Sequence, residues 1–167
     1  ACDGEDNPIT LTIGDSKALV TGPGFEVGAT LLDVARFPDF DAMAPHVVKV
    51  STTARVPREP LISALRSVSL AVSGDKSPHV DITIADGEMA LRCESTVGVI
   101  ESQDSLPVES SGKAAVSVMV HLLTDALNAL ASDAVELGLG GARDVIVIKP
   151  IDDTLTETRL YVMPVVG

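Results

Sequence analysis

Apolar and polar residues alternate with period two over most of the chain, and this alternation predicts strands with one buried face. Ile9, Leu11 and Ile13 alternate before a turn at Gly14-Asp15, and Ala18 to Thr21 forms a second short strand ended by Gly22-Pro23-Gly24. Phe25, Val27, Ala29 and Leu31 then alternate again. The same three-strand pattern recurs twice. Val80, Ile82 and Ile84 lead through Asp86-Gly87 to Met89, Leu91 and Cys93, and then to a strand over Val97 to Gln103. Val135, Leu137 and Leu139 lead through Gly140-Gly141 to Val145–Ile148 and Arg159–Met163.

Two segments change to helical spacing. Leu61, Leu65, Val68 and Val72 are spaced four, three and four, with Pro60 suited to a first turn and Gly74 to a stop. Val120, Leu123, Leu127 and Leu130 are spaced three, four and three, and Ser117 is placed to cap that helix. A strand is expected before each, at His46–Ser51 and at Ala114–Val116. Residues 46–167 therefore read β-α-β-β-β twice, while residues 1–45 read β-β-β with no helix to cover their apolar face.

Composition narrows the chemistry. With three Phe, one Tyr and no Trp, the core must be built from Val, Leu, Ile and Ala. No apolar run reaches the ~18 residues of a membrane span. The polar, acidic start Ala1-Cys2-Asp3-Gly4-Glu5-Asp6 is unlike a secretory signal, and without a starting Met it is expected of a processed chain or a fragment. Two cysteines, Cys2 and Cys93, suggest a reducing compartment rather than a disulfide framework. His46, His79 and His121 stand far apart and no Cys-x-x-Cys occurs, so neither a metal nor another cofactor is expected.

The net charge is −12, from 24 acidic and 12 basic residues, which argues against tight capture of nucleic acid. Ten of the basic residues lie beyond residue 48, where 16 acidic residues accompany them. An enzyme is not expected. No Gly-x-Ser-x-Gly elbow is present, and Gly138-Leu139-Gly140-Gly141 lacks the Lys-Ser/Thr of a phosphate loop and reads as a hairpin turn. Asp152-Asp153 reads as a solvated pair.

Two clusters combine proline with large apolar groups: Arg36-Phe37-Pro38-Asp39-Phe40 and the C-terminal Tyr161-Val162-Met163-Pro164-Val165-Val166-Gly167. Together with Leu61-Ile62-Ser63-Ala64-Leu65, Ser105-Leu106-Pro107-Val108, Leu122-Leu123-Thr124-Asp125-Ala126-Leu127 and Val135-Glu136-Leu137, their order and spacing resemble the bacterial DNA polymerase III sliding clamp. The resemblance implies an α+β DNA clamp fold of repeated β-α-β-β-β units, with antiparallel sheets outside and two helices on the inner face. It assigns residues 1–45 to the last strands and linker of an incomplete second clamp domain, and residues 46–167 to a complete third domain. The first domain and most of the second have no counterpart in the chain.

The implied function is that of a non-catalytic processivity factor. It would encircle DNA, hold it weakly and without sequence preference, and tether the replicative polymerase and clamp loader through an apolar peptide pocket. A homo-oligomeric ring, a cytoplasmic location and no membrane contact follow from the same resemblance. In the family the two proline clusters meet, so the pocket is expected from Pro38, Met43, Val145, Tyr161, Met163, Pro164 and Val165. Rigid proline and valine walls with an adaptable methionine suit a short peptide carrying Leu and Phe anchors. On spacing alone, Tyr161 and Met163 read better as ordinary core residues of a last strand, and it is the resemblance that favours the pocket. Position 122, often Tyr in the family, is Leu122 here. Arg58 and Arg66 on the first helix, with Arg55 and Lys76 near its ends, are the expected DNA-facing residues; a plain solvated helix face is the other reading of them. The competing function is a structural oligomerisation or interaction module that binds neither DNA nor clamp-type peptides, in which Phe37 and Met163 would be subunit contacts.

Overall fold

Period-two alternation becomes strands throughout the computed structural model, which describes residues 8–31, 48–72, 74, 78–95, 101–151 and 158–165. The chain divides into two compact units, Ala1–Met43 and Ala44–Gly167.

In the first unit, β1 (Thr10–Ile13), β2 (Lys17–Gly22) and β3 (Phe25–Thr30) form an antiparallel sheet in that order. Pro23 and Gly24 make the β2–β3 turn, and the position that needs a positive φ (80°) falls on glycine. Register places Leu11, Val20 and Val27 in one cross-strand row and Ile13, Ala18 and Ala29 in the next. These rows form one apolar face, and Leu11, Ile13 and Val27 on it are more than half exposed. Phe25 lies over its partner Gly22, where a Cβ would meet the ring at 2.4 Å.

The second unit runs β4 (Thr52–Pro57), α1 (Arg58–Ser69), β5 (His79–Ala85), β6 (Glu88–Glu94), β7 (Glu101–Pro107), the short β8 (Glu109–Ser110), β9 (Ala114–Met119), α2 (Val120–Asn128), β10 (Ala134–Leu139), β11 (Ile146–Pro150) and β12 (Leu160–Val162). A 3-10 turn at Leu70–Val72 ends α1. The β-α-β-β-β order thus occurs twice, but the sheets are not built repeat by repeat. One has the order β12-β11-β10-β4-β8 and the other β7-β6-β5-β9. The leading strand of each repeat is therefore added to the other repeat's sheet, β4 against β10 and β9 against β5.

The helix starts show the same reciprocity. Neither has a side-chain cap. Instead the first N–H of α1 (Arg58) donates to the carbonyl of Asp133 at 2.8 Å, and that of α2 (Val120) to Pro78 at 3.1 Å. In each case the acceptor directly precedes the first sheet strand after the opposite helix. The expected cap, Ser117, is inside β9, because pairing with β5 carries that strand on to Met119. Its hydroxyl donates to the Asp81 carboxylate instead.

The first leading strand lies at Thr52–Pro57 rather than His46–Ser51. Ala54 and Val56 point inward and are buried, while Arg55 between them faces out. The strand after β6 is centred later than expected, at Glu101–Pro107, and β11 runs Ile146–Pro150 rather than Val145–Ile148. One continuous apolar core joins Leu61, Leu65 and Val68 of α1 and Leu123 and Leu127 of α2 to both sheets. Each buried Leu or Ile of this kind contributes about 1.5–3 kcal/mol, so aliphatic burial alone can hold the unit together without aromatic residues.

Candidate functional site

The C-terminal segment is positioned by both sheets in succession. β12 pairs with β11, placing Val147 opposite Tyr161 and Ile146 opposite Val162. Alternation then buries Val162 at 5% exposure and turns Tyr161 (36%) and Met163 (60%) outward. Past Met163 the chain crosses to the other sheet. Pro164 bridges Val118 of β9, and the Val165 N–H donates to the Ser117 carbonyl at 2.8 Å. Proline supplies no donor for a longer ladder. The tail is held to the β9 edge by this local pairing.

Of the seven residues expected at a peptide pocket, Tyr161, Met163, Pro164 and Val165 are consecutive or nearly so on this tail. Val145 is buried at 3% and lies beneath the surface rather than on it. Pro38 and Met43 lie outside the described residues. Leu122 of α2, 39% exposed, is a further large apolar group left open to solvent, and α2 packs against β12.

A glycine-dependent turn precedes β11. The Gly141 N–H donates to the Asp144 carboxylate at 2.7 Å, and the Asp144 N–H donates back to the Gly141 carbonyl at 3.0 Å. The Lys49 carbonyl runs so close to Gly140 that a Cβ there would lie 2.0 Å from its oxygen. Val50 fills the space above Gly138, and the Ser51 N–H donates to the Leu139 carbonyl at 2.9 Å. Residues 49–51 are thereby laid along the end of β10. The described end of the strand expected at His46–Ser51 is this edge segment rather than the sheet strand itself.

Of the four basic residues expected to face DNA, the three that are described do not share one surface. Arg55 projects from the sheet face opposite Ala54 and Val56, away from the core, and forms an ion pair with Glu136 at 3.6 Å. Arg58 is only 15% exposed in its side chain. Its Nε donates to the Ser132 carbonyl at 2.8 Å, and a terminal nitrogen pairs with Glu59 at 2.6 Å. Arg66 is exposed on α1. Lys76 lies outside the described residues. The exposed part of α1 thus offers Arg66 among Ser63 and Ser67, and that of α2 offers His121, Asp125 and Asn128. Among the described residues no group of His, Cys, Asp and Glu is arranged to hold a metal ion, and no helix is long and apolar enough to cross a membrane.

Comparison with known proteins bears on this geometry. The sequence profile of the DNA polymerase III beta subunit, C-terminal domain, matches residues 48–165. A search of curated proteins returns no significant match. Among solved structures, the DNA polymerase III subunit beta from Pseudomonas aeruginosa is similar with a TM-score of 0.84 at 18% identity, over 98% of this chain and 44% of that one. The beta subunit from Thermotoga maritima is similar with a TM-score of 0.78 at 22% identity, over 95% of this chain and 42% of that one. A sliding clamp from P. aeruginosa bound to griselimycin gives a TM-score of 0.81 at 17% identity, over 95% and 42%. At these identities the structural likeness establishes the sliding clamp fold, and the chain spans less than half the length of the solved proteins it resembles.

Proposed function

We propose, since the chain belongs to the DNA polymerase III beta subunit family through the C-terminal domain of that subunit, that it acts as part of a sliding clamp. In this reading it is a non-catalytic, cytoplasmic processivity factor. Residues 46–167 serve as the third clamp domain, and residues 1–45 as the end of the second domain with its linker. The observation that carries the proposal is the family match over residues 48–165, on a fold that repeats β-α-β-β-β.

We assign peptide capture to the surface around Met163. A methionine 60% exposed, beside Tyr161 and a rigid proline, is costly to leave in water and adapts to varied apolar anchors. The underlying Val145 belongs to the proposed pocket, and Leu122 extends it. The occupants would be short Leu- and Phe-anchored segments of the replicative polymerase and the clamp loader.

DNA would be held by the helix side of the second unit, weakly and without sequence preference, with Arg66 and Lys76 as its cations. Arg55 and Arg58 have other partners and are not part of this surface. Such sparse basic residues on a chain of net charge −12 suit sliding better than gripping. The seven-residue β7 has no strand partner on its outer side among the described residues and is the edge we assign to subunit association in a ring.

The test is an anisotropy titration of a fluorescent Leu/Phe-anchored peptide against the full chain. Saturable binding that weakens about tenfold or more in Met163→Asp, the loss expected from about 1.4 kcal/mol, supports the clamp reading. Absence of saturable binding favours the oligomerisation module instead.

A further inference from the structure

The outer face of the β7-β6-β5-β9 sheet carries a feature that peptide capture around Met163 does not use. Register sets four small residues in one row across all four strands: Ser105, Ala90, Thr83 and Ala115. The row is the floor of a groove of about 980 Å³. Ala142 and Arg143, from the turn fixed by Gly140 and Asp144, form part of its wall, and Val165 of the C-terminal segment forms another part.

On the face of this groove carboxylates outnumber guanidiniums. Asp81 and Glu88 stand on the same face as this row, whereas Asp104, opposite the buried Leu91, only borders the groove from the β7 edge. Arg92 lines it too, but its guanidinium is already paired with Glu101 at 2.7 Å and Glu94 at 3.3 Å. That leaves Arg143, exposed at the wall, as the lining cation outside an ion pair among the described contacts. A polyanion such as a nucleic acid backbone is disfavoured here, and a cationic chain is drawn in.

We propose that this groove takes an extended, lysine- or arginine-bearing segment of a protein whose anchor occupies the apolar surface around Met163. The inference rests on the peptide-capture reading given above. Three features select this occupant. The floor is polar and small, so a peptide backbone can lie close but finds no deep apolar hole, and the groove alone binds weakly. The surplus carboxylates supply the charge complement. Val165 belongs both to the proposed pocket and to the groove wall, so a chain leaving the first passes directly into the second. Tethering then raises the effective concentration of the basic segment, and weak contacts become measurable.

The experiment uses the full chain and two labelled peptides that share a Leu/Phe anchor, one extended by three lysines and one by three serines, with the extension placed on either side of the anchor. In one of the two orientations the lysine peptide should bind about three- to fivefold tighter at low salt, as expected for a few exposed ion pairs. That advantage should vanish in Asp81→Asn/Glu88→Gln and persist in Asp15→Asn/Glu26→Gln, which removes the same charge from the other unit. An advantage that survives in the first variant, or falls equally in both, overturns the proposal. The serine peptide reports on the pocket alone. If it does not bind, the capture reading fails and the groove is judged separately, by an NMR titration with an anchor-free Lys-Ser-Lys-Ser-Lys peptide. Amide shifts clustered at Thr83, Ala90, Ser105 and Ala115 retain the groove as a site for basic segments, and their absence removes it.

Discussion

Arg58 and Ser132 join the two helices of the second unit: the guanidinium Nε of Arg58, at the first residue of α1, donates at 2.8 Å to the Ser132 carbonyl in the loop that follows α2. The Arg58 backbone N–H reaches the neighbouring Asp133 carbonyl. One residue thus satisfies two acceptors at the far end of the opposite helix. Arg58→Ala should lower the unfolding free energy by about 1–3 kcal/mol, the scale of a charged hydrogen bond whose acceptor is left unpaired. Arg66→Ala, on the exposed part of α1, should change it by less than about 0.5 kcal/mol. Urea denaturation of the two variants checks the contrast. Equal effects would remove the joining role.

Val162, which ends the last strand, and Met163 just beyond it should respond in opposite ways. Met163→Asp changes a residue 60% exposed. It should leave the urea midpoint nearly unchanged while weakening a Leu/Phe-anchored peptide by about 1–3 kcal/mol, the value of burying a side chain of that size. Val162→Asp forces a carboxylate into a site 5% exposed. It should cost several kcal/mol of stability, of order 2–7 if the group stays buried without partners. Circular dichroism and peptide titration on both variants separate fold from binding.

Much of this was legible because burial follows period. The alternations at Ile82 and Ile84 and at Leu137 and Leu139, and the helical runs through Leu61 and Leu123, mark one-sided elements, and each is buried as its spacing implies. The leading strand at Thr52–Pro57 was not legible, because only Ala54 and Val56 mark its apolar face while Val47, Val48 and Val50 nearby offer a richer apolar run. Nothing local could reveal that β4 joins the opposite repeat's sheet, since its partner β10 is specified far along the chain. The tail at Met163 could be singled out by its odd composition. The groove beyond it could not, because its floor is assembled from four strands and becomes a row only through register.

Gly140 should be intolerant of any side chain. A Cβ there would meet the Lys49 carbonyl oxygen at 2.0 Å and the Asp144 side chain at 2.7 Å. Because the first of these is backbone, relief requires residues 49–51 to move off β10. Gly140→Ala should therefore cost about 1–3 kcal/mol, the usual range for overpacking. Gly74→Ala, where a Cβ meets nothing within 4 Å, should be close to neutral. Thermal unfolding of the pair tests this.

Cys93 should be chemically silent in the folded protein. It is fully buried on β6. Burial, and then the negative charge of Asp81, push its thiol up to about 11. In a Cys2→Ser background a thiol reagent at neutral pH should label Cys93 only after urea unfolds the chain. The thiol titrates higher folded than unfolded, so its contribution to stability is complete below the unfolded value of about 8.5. That contribution declines as pH rises toward 11. Stability measured in that window should fall less in Cys93→Ala than in the parent. Rapid labelling of the native protein would contradict the burial.

Residues 46–167 should fold when expressed alone, with one cooperative transition by both circular dichroism and amide exchange, because every strand of both its sheets and its whole aliphatic core are internal to that segment. A peptide of residues 8–31 should not form its sheet in isolation. Its apolar rows through Leu11 and Ile13 face solvent, and a small sheet without a covered face is marginal in water.

The exchange of leading strands between the repeats has a consequence for how the chain is made. Ser51, at the entrance to β4, bonds to Leu139, 88 residues later. At roughly 5–20 residues per second of synthesis, β4 emerges several seconds before the strand that completes its ladder. During that interval β4 has only the two-residue β8 to pair with, and the ladder to β10 cannot form. Neither repeat is an independent folding module. Such long-range pairing favours cooperative folding of the second unit with a slow meeting of distant strands, and the nascent chain should be most exposed to mispairing before β10 emerges.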